Sequence, residues 1–67
     1  MIKAAVIARR LRELRGNKSR EEVSAELGIS ISAISMYENG ERIPRDDLKI
    51  KIANYYDVSV QDIFFTP

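Results

Sequence analysis

Residues 20–39 read REEVSAELGISISAISMYEN, and this stretch decides the architecture. Val23 and Leu27 lie four apart within Arg20–Leu27, on one face of an α-helix. Ser19 precedes that helix and Glu22 follows it by three residues, the pattern of a capping box. The Ser19 hydroxyl accepts from the Glu22 backbone N–H, and the Glu22 side chain reaches back. Gly28 stands where the chain must adopt a left-handed conformation after the last turn. Ser30 caps a second helix, from Ile31 to about Asn39, which Gly40 ends. Ser24 is small where the second helix must come close, and Ile34 sits mid-helix where it can lock the pair onto a core.

Helical spacing continues on both sides. Ala4, Ile7, Ala8, Leu11 and Leu14 predict an amphipathic first helix ending near Arg15, with Gly16-Asn17 as its stop. After the short loop Glu41–Pro44, Leu48, Ile52, Tyr55 and Tyr56 predict a helix from about Arg45 to Tyr56. Asp46 and Asp47 favour its first turn. Ser59 and Asp62 form a weaker capping box for a short last helix, Val60–Phe64. No strand pattern, repeat or linker interrupts the run. The fold class is therefore all-α, a compact five-helix domain over residues 1–67, with residues 20–39 as a helix-turn-helix unit. An ordinary helical hairpin in a small bundle shares each of these signals singly.

A 67-residue chain makes one thin core, burying about 60% of the surface it exposes when unfolded. It has no cysteine and no histidine. Disulfides, thiolate metal sites and histidine-based nucleophile pairs are thereby excluded. Neither cofactor nor metal is expected. Glu21/Glu22 and Asp46/Asp47 are adjacent carboxylates, but helical neighbours point to different sides and first-turn acids are explained by the helix dipole, so an enzyme is not expected. The apolar patch Met1–Ala8 runs into Arg9 and Arg10 without a cleavage motif. No stretch approaches the roughly 20 apolar residues that span a bilayer. The expectation is a soluble cytoplasmic protein without membrane contact.

Net charge is only +1, but it is unevenly placed. Residues 1–20 carry seven basic side chains against Glu13 alone, whereas residues 21–67 carry four basic and nine acidic ones. A basic end can make a positive, nucleic-acid-facing surface, or the arginines can simply be the solvated side of a helix. The helix after Gly28 separates more sharply. Ala33, Ile34 and Tyr37 fall on one side, and Ile31, Ser32, Ser35, Met36 and Asn39 on the other. The second set has no acid, lysine or arginine, although exposed faces usually carry charge. Such a short, uncharged face suits base edges in a major groove. Ile31 and Met36 have a second reading, as half-buried residues at the core's edge.

The run LRELR, then SREEVSAELGISISAISMYENG, a proline, and KIANYYDVSVQDIF resembles the phage-repressor helix-turn-helix family, the Cro and repressor (XRE) type. The resemblance covers about Ile7 to Phe64. It implies a sequence-specific transcriptional regulator, a repressor in the first instance, that binds double-stranded operator DNA as a homodimer. By the same resemblance the helix after Gly28 is the recognition helix, with Ile31, Ser32 and Met36 at the main base-reading positions and Ser35 beside them. Arg20, Ser30, Asn39, Arg42 and Arg45 stand where the family touches the DNA backbone or lies beside those contacts. Arg15 and Glu38 match a family ion pair between the first helix and the end of the recognition helix. The chain departs from the pattern in a shorter turn at Gly16–Lys18, in Ser24 for alanine, and in reading positions without Gln, Arg, Lys or Asn. Methyl contacts to thymine, serine hydrogen bonds and DNA shape are then the expected means of discrimination.

A protein-interaction module of the same fold, an antitoxin or co-regulator subunit, is the alternative, and it would use the Ile31–Met36 face for protein. With no second domain in view, no small-molecule ligand is expected. Ile63, Phe64 and Phe65 are three consecutive large apolar groups, which one helix cannot turn into a single small core. Ile63 or Phe64 should be core and Phe65 partly exposed, so Phe64 and Phe65 are the candidate surface for a weak homodimer.

Overall fold

The computed structural model describes residues 3–67. Met1 and Ile2, at the start of the patch Met1–Ala8 and of the expected domain 1–67, lie outside the described residues. Five helices follow one another: α1 (Ala4–Arg15), α2 (Arg20–Leu27), α3 (Ile31–Glu38), α4 (Asp46–Tyr56) and α5 (Val60–Phe64). The described residues contain no strand. None of their helices is long and apolar enough to cross a membrane.

Serines set three of the helix starts. The hydroxyls of Ser19, Ser30 and Ser59 accept from the backbone N–H of Glu22, Ala33 and Asp62, each at 3.0 Å. Each bond satisfies an N–H that the helix leaves without a partner, a contribution of about 1 kcal/mol per cap. Two boundaries fall one residue inside the predicted ones. Asn39 is the C-cap of α3, and Arg45, in extended conformation, is the N-cap of α4.

The turn after α2 is closed at Gly28, whose φ of 67° and ψ of 32° lie in the left-handed region. Its N–H and that of Ile29 both reach the Ser24 carbonyl, at 2.9 and 3.2 Å. The Ser24 hydroxyl donates to the Ile29 carbonyl. The small side chain inside α2 thus bonds the turn as well as making room for α3. Gly40, at φ 75°, makes a second left-handed turn after α3, a conformation that glycine adopts at no steric cost.

Ile7, Leu11, Val23, Leu27, Ile34, Tyr37, Leu48, Ile52, Ala53, Ile63 and Phe64 form one core to which every helix contributes. α1 packs on α3 and α5, α2 on α3 and α4, and α4 on α5. Arg10 closes the far end, with Nη1 donating to the carbonyls of Asp62 and Ile63 at 2.9 and 3.2 Å. Those are carbonyls of the last turn of α5, which have no partner within the helix. Phe64 is wholly buried. That corrects its place in the candidate dimer surface, since burying its ring completes the core and leaves Phe65 alone outside.

Candidate nucleic-acid interface

The second helix of the unit, α3, presents two unlike sides. Ile34 and Tyr37 are buried against the core, and Ala33 is half-buried beside them. On the outer side Ile31 is 44% exposed, Ser32 is exposed, and Ser35 and Met36 are half-buried. The structure therefore brings Ile31, Ser32, Ser35 and Met36 onto one surface with no charged side chain among them. Ile31 is exposed and Met36 half-buried, and neither is among the residues packed on the core. Ser30 opens this surface with its hydroxyl oxygen occupied by the Ala33 N–H.

What fixes α3 is the carboxylate of Glu38, only 2% exposed. Arg15 Nε lies 2.8 Å from its Oε2, and Arg20 Nε lies 3.0 Å from its Oε1. Arg12 donates to the Glu38 backbone carbonyl. A buried carboxylate without cations would be strongly unfavourable, so two guanidinium forks define where it sits. Glu38 in turn holds the Arg15 guanidinium above its ordinary pKa through their hydrogen bond, against the opposing effect of burial. Tyr56 borders the same region. Burial, and next the Glu38 charge, push its phenol up to about 12.

Arg20, expected as a phosphate-binding cation, makes its contacts within the fold. Its Nε is on Glu38, its Nη1 donates to Ser35 Oγ at 3.0 Å, and 31% of the side chain stays exposed. The reason is the buried carboxylate, which a cation at the start of α2 can reach and water cannot. Sequence reading missed this role because it paired Glu38 with Arg15 alone. The signal available was a cation at position 20 beside a carboxylate that falls on the inward side of the α3 wheel.

The same principle redistributes the basic N-terminal segment. Arg10, Arg12, Arg15 and Arg20 all bond within the fold. Arg9 pairs at 3.6 Å with Glu13, both well exposed. Lys18 lies 4.6 Å from the centroid of the Tyr55 ring and donates to its hydroxyl at 3.2 Å. That bond holds the ammonium above its ordinary pKa. The charge asymmetry of the sequence is thus largely structural. Beyond the end of α3, Asn39, Arg42 and Arg45 are exposed. Asn39 Nδ2 makes one long bond, 3.5 Å, to Glu41. Arg45 pairs with Asp47 at 3.4 Å, with both side chains largely in water. Such a pair is weak and leaves the guanidinium open to a stronger anion.

The helix-turn-helix family model matches residues 9–63. The cryptic phage CTXphi transcriptional repressor RstR of Vibrio cholerae is 32% identical over 47 residues, 70% of this chain and 42% of that protein. The chain thus spans about two fifths of the length of that relative. An uncharacterized HTH-type transcriptional regulator of Methanocaldococcus jannaschii is 35% identical over 48 residues, 72% of this chain and 73% of that protein. No solved structure matches the chain. One relative is a transcriptional repressor and the other an HTH-type transcriptional regulator. With its five helices, its glycine turn and its matched span, this chain belongs to the phage-repressor (XRE) type of helix-turn-helix family, the DNA-binding transcriptional regulators.

Proposed function

We propose that the chain binds operator DNA by laying α3 in the major groove, and that it acts in the cytoplasm as a transcriptional repressor. The observation that carries the reading is the outer side of α3: uncharged, partly apolar, and held in one orientation by the buried Glu38. Ile31 and Met36 offer methyl contacts to thymine, and Ser32 and Ser35 offer hydrogen bonds. Ser30, Asn39, Arg42 and Arg45 lie at the two ends of α3, where backbone contacts position a reading helix. The phage relative is a transcriptional repressor, which supports repression over activation. Occupancy of the operator would exclude polymerase, with control from protein concentration or a partner. Neither a cofactor nor a small-molecule ligand enters this reading.

Binding should require two copies. The protein is 28 Å in its longest extent. Half-sites one helical turn apart are separated by about 34–36 Å, so one copy does not reach both. Phe65, 41% exposed at the end of α5, is the surface we assign to the second copy. Such a small contact is weak alone and forms mainly on DNA.

The test is titration of the protein against DNA from its own upstream region at two salt concentrations. Affinity should fall steeply with salt. Arg42→Ala and Arg45→Ala should each weaken specific and random DNA by similar factors and lower the salt slope by about one. Affinity indifferent to salt would refute the reading. Phe65→Ser should stay folded, sediment as a monomer and bind a two-half-site operator less tightly. Unchanged association and affinity would sink the Phe65 contact alone.

A further inference from the structure

We infer that Arg20 biases the hydrogen-bonding polarity of Ser35, so that this serine gives to DNA more readily than it accepts. The inference rests on α3 being the reading helix. A serine hydroxyl has one proton to give and two lone pairs, whereas a guanidinium only gives. The bond of 3.0 Å from Arg20 Nη1 to Ser35 Oγ therefore has one possible direction. It is the one hydrogen bond of the Ser35 hydroxyl among the described residues. It occupies one of the two lone pairs and leaves the proton to give, and, because the donor is a cation, it makes the O–H a stronger donor and the remaining lone pair a weaker acceptor.

Arg20 cannot easily turn away from this duty. Its Nε is held at 3.0 Å by Glu38 Oε1, and the other oxygen of that carboxylate is held at 2.8 Å by Arg15. The chain of contacts runs from α1 through a buried charge and α2 to a hydroxyl on the reading face. Arg20 is thus a positioning residue for Ser35. Ser30 shows the same polarity by a different route, since its oxygen accepts from the Ala33 N–H and its proton remains free for a phosphate oxygen.

Donor polarity has a consequence for sequence. In the major groove guanine presents two acceptors, N7 and O6, while cytosine presents only its amino donor. A serine biased toward giving favours guanine over cytosine at the base it faces. A serine free to rotate would accept from cytosine as readily as it gives to guanine. Arg20 thereby gives a side chain of low selectivity a preference for acceptor bases.

The experiment is selection from a randomised double-stranded DNA library with the whole chain, comparing wild type with Ser35→Ala, Arg20→Gln and Arg20→Lys. A double variant, Arg20→Met with Glu38→Gln, is added because it removes the buried charge together with its partner. Circular dichroism and cooperative melting confirm that each is folded. Wild type should prefer guanine over cytosine at one base by about threefold to tenfold, the worth of one neutral hydrogen bond. Ser35→Ala should flatten that base alone. Arg20→Gln, whose amide both gives and accepts, should flatten the same base, as should the double variant. Arg20→Lys, which only gives, should keep the preference. If Ser35→Ala leaves every preference intact, or the Arg20 variants weaken all sequences uniformly while the guanine preference persists, the inference is wrong and α3 can still be the reader. If wild type enriches no sequence at all, the DNA-reading proposal fails and this one with it.

Discussion

Two charged side chains are buried among the described residues, Glu38 and Lys49, and they are held in opposite ways. Glu38 lies between the planar forks of Arg15 and Arg20, with Arg12 on its backbone carbonyl. Lys49 Nζ is 3.3 Å from the exposed carboxylate of Asp46 and lies over the rings of Phe64 and Phe65, 5.8 and 5.2 Å from their centroids. A guanidinium fork fixes direction as well as distance, whereas an ammonium on a flexible stem fixes little beyond distance. The first arrangement joins α1, α2 and α3 and orients the outer side of α3. The second ties α4 to the aromatic end of the chain and tolerates adjustment there. The end of α3 is thus fixed in direction, whereas the contacts of Lys49 fix little beyond distance.

The largest effect that tests this contrast is Arg15→Ala combined with Arg20→Ala. It leaves the Glu38 carboxylate buried without a cation and should cost about 3–5 kcal/mol in urea unfolding. A loss below about 1 kcal/mol would show that the carboxylate escapes to water and orients nothing. Lys49→Met should cost only about 1 kcal/mol by the same measurement, because the aliphatic stem still covers Phe64 and Phe65. A cost equal to the arginine pair would erase the difference between the two sites. Tyr56 probes the Glu38 side through pH. Its pKa is raised in the folded state, from 10.0 to about 12, so the folded protein keeps this proton when the unfolded chain loses it. The resulting stability is complete below pH 10 and is lost as pH rises through 10 to 12. Tyr56→Phe should flatten that part of the fall in urea midpoint, and an unchanged profile would place Tyr56 in water. Smallest of all, Arg45→Ala should alter stability by less than about 0.5 kcal/mol, since its pair with Asp47 is exposed.

Local rules made the helices legible before any coordinates. Ser19, Ser30 and Ser59 act as caps from their positions alone, and Gly28 marks its turn, because each bond involves residues only a few positions apart. The periodicity of Val23, Leu27, Ile34 and Ile52 located the core for the same reason. Boundaries slipped by one residue at Asn39 and Arg45, where no side-chain cap marks the end. Arg20 was not legible as a partner of Glu38, because eighteen positions separate them and only packing of α2 on α3 brings them together. The same holds for Arg10 against the end of α5. Charge counted along the chain suggested a cationic face, yet four of its seven cations, Arg10, Arg12, Arg15 and Arg20, bond within the fold. Phe64 and Phe65 show the limit at short range: adjacent aromatic residues split between core and surface by the direction of one short helix.

The central claim is that the outer side of α3 is the surface that meets DNA. Amide chemical-shift mapping of the isotope-labelled protein, titrated with duplex DNA from its upstream region, tests it most directly. The account predicts the largest shifts at Ile31, Ser32, Ser35 and Met36, with further shifts at Ser30, Asn39, Arg42 and Arg45, and little change along the exposed side of α4 at Ile50. Shifts centred on α4 and Phe65, with α3 unmoved, would contradict it.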